Sequence, residues 1–486
     1  MAHIYFSDYF RISPNVVENY GAFNVSLVTD LPLFIDPFLL FNSRKRKYQQ
    51  LHEQMITYLR FLRDKSVSGG IDTDLLEAWY MFREVKQNWL GFCEKGNRGH
   101  GLGIDFAKSL NRNLNAIFSN FGEEKITRGS HMEKLCLIKS GVGRDNISDF
   151  TMHLIKDYLL EYTQQFARDR IARKHRRKMA VPKVRFNYAT ETWETDEFEL
   201  PFMNGDYAIL TPRDILTRDE IWINRNDIVN DIQTIAEAVD DAVLRGQINN
   251  YLLRALPEKP TKKQQVQIID KVLQKYPVLL EYYIRSKEHH GREAEQLSER
   301  NVHESREVFI TQTLNLIEEL RSHTQFYGIS GNTLAEARSR VAFLKHVIEN
   351  KGGHRLFYVD GNPIRREKDL QIMFRLTWYE TASDVSREVN DGRGPVDFKI
   401  SRGAFDKSLV EFKLASNSHL RQNLDKQTGV YEKASDAKES LKVIIYFTEQ
   451  EIEKVDQTLK DLGMENDRNI ILIDARADNK PSGSKA

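Results

Sequence analysis

Two short stretches near the end of the chain decide its reading: residues 396–400 (VDFKI), preceded by Pro395, and residues 408–414 (SLVEFKL). Both are rich in β-branched and aromatic residues, and turn formers at 390–394 (NDGRG) precede the first, so each predicts a strand. Side chains alternate faces along a strand. Glu411 and Lys413 therefore share one face, while Val410, Phe412 and Leu414 share the other. A carboxylate in an apolar strand is costly unless something compensates it. The ordinary compensation is a surface ion pair between Glu411 and Lys413 on a half-exposed sheet; the alternative is a chemical task.

The surrounding elements extend this pattern. Asn362 followed by Pro363 predicts an N-cap and first helical position, opening a helix to about Tyr379. Its apolar stripe is Leu370, Met373, Phe374 and Trp378, and Glu367 lies on that stripe. Residues 383–389 (SDVSREV) predict a strand before the NDGRG turn. After 408–414, a helix opened by Asn417 or Ser418 carries Leu420, Leu424, Gln427 and Tyr431 on one continuous face. Residues 441–447 (LKVIIYF) predict a buried strand, 450–462 a helix and 469–473 (NIILI) a last strand. The predicted order is α-β-β-β-α-β-α-β.

In this order, with Pro395-Val396-Asp397 followed by Glu411-Phe412-Lys413, the last quarter of the chain resembles the PD-(D/E)XK nuclease superfamily. Asp397 sits one position later than in a strict Pro-Asp pair. Gln427 and Tyr431 form a Q-x-x-x-Y pattern similar to that of the RecB-type branch. The resemblance implies a restriction-endonuclease-like α/β core of order αβββαβ and a bound Mg²⁺ or Mn²⁺. Hard oxygen ligands hold such an ion while leaving positions open for water and phosphate. By resemblance, Asp397, Glu411, the Phe412 carbonyl and Glu367 are the metal ligands. Lys413 orients or deprotonates the attacking water, and Gln427 and Tyr431 position the site. For Glu367 a first-turn acid that favours the helix dipole remains open, and for Gln427 and Tyr431 a plain core role.

The remainder is less telling. The chain has 486 residues and a formal net charge of +1, so any basic surface for nucleic acid must be local. No apolar run approaches a membrane span, and the start lacks a secretory signal. Cys93 and Cys136 stand apart, which fits a reducing cytoplasm and argues against a cysteine-rich zinc site. Residues 22–28 and 31–40 read as β-rich, 44–89 as helical, 146–178 as one or two helices opened by Ser148 and Asp149, and 184–222 as β-rich again. Residues 227–350 read as helical, with a boundary at 351–362 and a disordered tail at 478–486. The expected divisions are thus 1–226, 227–350 and 351–477, a multidomain α+β chain.

Other signals compete. Arg168, Arg170, Arg173, Lys174, Arg176, Arg177 and Lys178 form the densest basic run; it tracks phosphates or simply solvates a helix end. Residues 96–103 (GNRGHGLG) lack the G-K-[ST] ending of a Walker A loop. His289 and His290 have no third ligand nearby, and Asp145, Ser148 and Asp149 read as capping. The expectation is a Mg²⁺-dependent nuclease, with DNA as its polymer and internal cleavage, in prokaryotic antiphage defence. The N-terminal region would sense, oligomerise or restrain it, as a homo-oligomer or with a partner protein of a defence system. The competing expectation is a nuclease-like nucleic-acid-binding or scaffold protein that has lost catalysis.

Overall fold

The computed structural model describes residues 4–91, 101–117, 121–122, 124–138, 142–257, 260–329, 331–379, 381, 383–390, 395–402, 406–427 and 439–480. The protein is α+β, with a mostly helical N-terminal region and a mixed five-stranded sheet flanked by helices at its C-terminal end.

The first β-rich stretch forms less sheet than its composition suggests. Residues 22–28 make only isolated bridges, Tyr5 with Ser26 and Ala22 with Pro212. Asn24 and Ser26 are the reason: the Asn24 amide oxygen accepts from the Ser7 N–H (3.0 Å) and Ser26 Oγ from the Val28 N–H (3.2 Å). Such side chains compete with a ladder for backbone groups. In the next stretch β1 (Leu33–Ile35) ends where Asp36 caps a helix, Pro37–Asn42, accepting from the Phe38 N–H at 3.0 Å. Asp-Pro was a helix-start signal inside an apolar run. The long helix α1 (Arg46–Ser68) follows as expected.

The helix expected to open at Ser148 begins earlier, at Arg144. Ser148 is buried inside it, and its hydroxyl accepts from the Ile35 N–H at 2.9 Å. Then come α2 (Lys156–Arg170) and a hairpin of β2 (Arg176–Asn187) and β3 (Thr192–Met203). The pairing shifts between Val181 and Arg185, where Pro182 has no N–H to give the ladder. β4 (Asp206–Tyr207) extends this sheet, and β5 (Leu216–Arg218) pairs antiparallel with β1.

The described part of residues 225–350 is mostly helical, including α3 (Gly291–Arg306), a π-helical turn at Glu307–Gln312, and α4 (Thr333–Asn350). Although expected with the helical region, α4 is a layer of the C-terminal sheet. Lys345 Nζ donates to the Leu472 carbonyl (2.8 Å), and Thr333 Oγ1 to Asp406 (2.7 Å). The expected helix start at Asn362-Pro363 is instead part of a small hairpin, β6 (Tyr358–Val359) with β7 (Asn362–Pro363). Asp360 and Gly361, at φ 49° and 77°, make its two-residue turn, the left-handed pair that tight hairpins require. The helix begins at Glu367: α5 (Glu367–Thr377).

β8 (Asp384–Asn390), β9 (Pro395–Arg402), β10 (Asp406–Leu414), β11 (Glu439–Tyr446) and β12 (Ile470–Asp474) lie in the order β12-β11-β10-β9-β8. β8–β9 and β9–β10 are antiparallel, β10–β11 and β11–β12 parallel. Two helices, α6 (Leu420–Gln427) and α7 (Glu449–Asp461), complete the order read from sequence. Asp478, Asn479 and Lys480 belong to the described chain, with Lys480 3.6 Å from Asp474; the rest of the expected tail lies outside the described residues. One apolar cluster runs from Ile4 to Ala475 and joins both halves of the chain.

The core under the sheet is aromatic. Phe374 of α5 stands 4.5 Å from Phe412 and 5.3 Å from Phe398, ring centre to ring centre. Phe374→Ala should cost about 3–5 kcal/mol, read as a lowered denaturant midpoint. A loss of less than about 1 kcal/mol would mean that this face does not hold α5 to the sheet.

Candidate active site

The site lies on β10, between β9 and β11. β10 pairs with β9 through Asp406–Arg402 and Val410–Phe398, and with β11 from Ser408–Glu439 to Leu414–Ile445. Asp397 precedes Phe398, so the register carries its backbone position opposite Glu411. At the end of β10 the Leu414 N–H points away from β11, and the Glu367 Oε2 accepts it at 3.1 Å. The Asn417 amide donates to the other oxygen of Glu367. Peptide groups alternate sides along a strand, so the Phe412 carbonyl points the same way as the Leu414 N–H.

The alternation expected along β10 is present. Phe412 packs into the aromatic core, and Glu411 lies on the other face, buried at 2% exposure. β11 supplies Lys442 in register with Glu411, also buried. A second apolar cluster of Ala415, Leu420, Leu424, Ile444, Val455 and Leu459 closes this face farther along. Burial raises the Glu411 carboxyl above its ordinary 4.5, because charge is disfavoured away from water. The ammonium groups of Lys413 and Lys442 pull it back down, and the nearby Glu367 pushes it up. Four charged groups from α5, β10 and β11 thus act on one another.

Sequence reading missed Lys442. Its signal was a lysine inside LKVIIYF, on the face opposite Leu441, Val443 and Ile445.

The first turn of α5 is held from the N-terminal region. Asp369 forms a buried ion pair with Arg218 of β5. Arg366 grips Asp219 with both ends of its guanidinium, at 2.9 and 2.6 Å. Arg218 also lies 5.2 Å from the Phe309 ring of the π-helical turn. Glu367 therefore sits between two residues tied to the strand at 216–218 and its successor.

Other expected site residues fall differently. The Asp397 and Gln427 side chains and all of Tyr431 lie outside the described residues. Among the described residues no group of three or more His, Cys, Asp or Glu side chains is placed to hold a metal. The basic run is no single helical face: Arg168 and Arg170 end α2, Arg173 and Lys174 are in a 3-10 turn, and Arg176, Arg177 and Lys178 begin β2. Acids on β3 answer several of them, Glu199 with Arg168 (3.3 Å) and Arg176 (3.5 Å), and Glu197 with Lys178 (3.8 Å). Arg177 lies over the Phe202 ring at 3.9 Å. Arg170, Arg173 and Lys174 are exposed. Of the glycine-rich loop only residues 101–103 are described.

Residues 11–224 match a family model described as Domain of unknown function (DUF8370), and residues 333–449 one described as Domain of unknown function (DUF8371). No curated protein and no solved structure matches the chain. The second match begins at α4 and takes in β8 to β11, so the helix that backs the sheet falls within the same unit as Glu411.

Glu411 yields a pH test. Its folded-state proton affinity is raised, so its contribution to stability is full below 4.5 and is lost as pH rises through the higher folded value. Glu411→Gln, which removes the charge, should raise the melting temperature at pH 8 by on the order of 1 °C. That gain should vanish at pH 4. An equal gain at both pH values would show that ionisation of Glu411 is not what burial penalises.

Proposed function

We propose that the protein is a metal-dependent nuclease of the PD-(D/E)XK type, hydrolysing phosphodiester bonds, with DNA as substrate and cleavage within the strand. The observation that carries this reading is the buried Glu411 acted on by Lys413 and by Lys442 of the neighbouring strand. An apolar strand gains nothing in stability from a buried carboxylate facing two amines that apolar residues of similar size could replace. A phosphodiester needs this set: oxygen ligands, an amine beside the attacking water and positive charge for the phosphate.

The oxygen-rich donors fit a hard cation. Glu411, Asp397 opposite it in register, and the Phe412 carbonyl would hold Mg²⁺ or Mn²⁺, with Glu367 reaching from α5. Bound there, the ion supplies Lewis acidity and lowers the proton affinity of a water. Lys413 orients that water and offsets phosphate charge. Lys442 lowers the cost of ionising Glu411.

The second reading is a nuclease-like binding or scaffold protein without catalysis. One observation favours it: both Glu367 oxygens already accept hydrogen bonds from β10 and the segment after it. Incubation of plasmid DNA with Mg²⁺, Mn²⁺ or EDTA separates the two. Glu411→Ala and Lys413→Ala should each lower Mg²⁺-dependent cleavage by at least ~100-fold while DNA binding in EDTA persists. DNA bound but never cut by the parent protein would favour the scaffold.

No described helix is long and apolar enough to cross a membrane, and we place the protein in the cytoplasm. An antiphage defence role, homo-oligomerisation and a defence-system partner protein belong to the same proposal. In it, the N-terminal region restrains the nuclease through the Arg366–Asp219 and Asp369–Arg218 pairs. Asp219→Ala removes the exposed pair and should speed cleavage several-fold in the full chain; slower cleavage would mean that the clamp assembles the site.

A further inference from the structure

A cavity of ≈ 700 Å³ lies between the N-terminal region and α3. The nuclease chemistry does not use it. Its size is that of a small-ligand pocket.

Tyrosines dominate one wall. The rings of Tyr20 and Tyr162 are 4.5 Å apart, Tyr158 is 6.0 Å from Tyr162, and Tyr48 is 6.1 Å from Tyr158. Their hydroxyls hold this wall in place. Tyr20 donates to the Tyr162 carbonyl (2.8 Å), Tyr162 to the Tyr20 carbonyl (3.0 Å) and Tyr48 to Asp214 (2.8 Å). The hydroxyls are thus engaged by the protein, and the rings offer the cavity flat faces.

Cations stand beside those faces. Lys45 and Arg306 are committed, to Asp214 and to Glu18. Lys47 and Arg213 are exposed and, among the described residues, make no ion pair. Lys47 Nζ lies 5.8 Å from the Tyr158 ring centre, and Arg213 is near enough to Tyr162 to favour its ionised form. Glu299 of α3 lines the same cavity and is an acceptor for amino or hydroxyl groups. That acid disfavours a bare polyanion. Flat rings, two uncommitted cations and an acceptor suit a base, a phosphate and a sugar or exocyclic amine.

We propose that this cavity binds a nucleoside phosphate, its base against the tyrosine rings and its phosphate between Lys47 and Arg213. The phosphate comes from a free nucleotide or from the end of a single strand. The cavity wall includes Arg306 and Ile310, which flank Phe309, the ring beside Arg218. Any effect of occupancy on cleavage rests on the nuclease reading; the binding does not.

The test is calorimetric titration of the full chain in EDTA, where metal-dependent cleavage cannot contribute. The probes are ATP, GTP, CTP, UTP, AMP, adenosine, inorganic triphosphate and a single-stranded DNA oligonucleotide. At least one nucleotide should bind saturably, and adenosine and triphosphate about tenfold more weakly or worse. Tyr158→Ala and Lys47→Glu should each weaken nucleotide binding about tenfold, with Lys271→Ala, an exposed position outside the cavity, unchanged. Lys47 is exposed, so Lys47→Glu is not expected to unfold the chain; circular dichroism verifies this. Tighter binding of the oligonucleotide than of AMP would assign the cavity to a strand end, tighter AMP to a free nucleotide. No binding of any nucleotide or oligonucleotide at millimolar concentration, or binding indifferent to both substitutions, overturns the proposal.

Discussion

A carboxylate buried in the middle of an apolar sheet governs the C-terminal half of this protein. Glu411 would be expelled from such a position by its own hydration unless positive charge were brought to it. Two lysines do this from two strands, and the parallel register of β10 with β11 is what lines up Lys442 with Glu411. The rest of the local architecture is arranged around the same point. α4 and the aromatic set of Phe374, Phe398 and Phe412 pack on one face of the sheet, and Leu420, Leu424, Val455 and Leu459 close the face that carries Glu411. Glu367 meets the backbone N–H of Leu414 at the end of β10.

The N-terminal region is continuous with this arrangement. Arg218 and Asp219 engage Asp369 and Arg366, which bracket Glu367, so a carboxylate that acts on Glu411 has its position set partly by the other half of the chain. A buried pair such as Arg218–Asp369 adds little net stability, since both ions lose their water. Its value lies in fixing geometry: removing either partner leaves a buried charge behind. The Phe309 ring beside Arg218 carries the contact on to the π-helical turn, whose Ile310, with Arg306 just before the turn, lines the tyrosine-walled cavity. These contacts join cavity and site through packed side chains.

Much of the C-terminal fold was legible because its signals are local. Alternation within SLVEFKL placed Glu411 and Lys413 together, and β8 to β12 lie within a residue or two of their predicted spans. Local signals also explain the errors. Asn362-Pro363 has the chemistry of a helix start, but Asp360-Gly361 just before it makes a tighter demand, a left-handed turn that closes a hairpin. Residues 22–28 have the composition of a strand, but Asn24 and Ser26 spend their side chains on backbone donors. The basic run had two readings, a phosphate track or a solvated helix end, and the acids Glu197 and Glu199 that meet part of it lie on the facing strand of the hairpin, out of reach of a local reading.

By itself the sequence determined the order of elements, the shared face of Glu411 and Lys413, and the absence of a long apolar run, because periodicity and hydropathy act over a few residues. Tertiary structure decided which charges meet. Lys442 reaches Glu411 only through the β10–β11 register, and Arg218 finds Asp369 across 151 positions of chain. The placing of α4 with the sheet is likewise an outcome of packing. Such contacts depend on how whole elements dock, where burial of apolar area outweighs any local preference, so no single stretch of residues announces them.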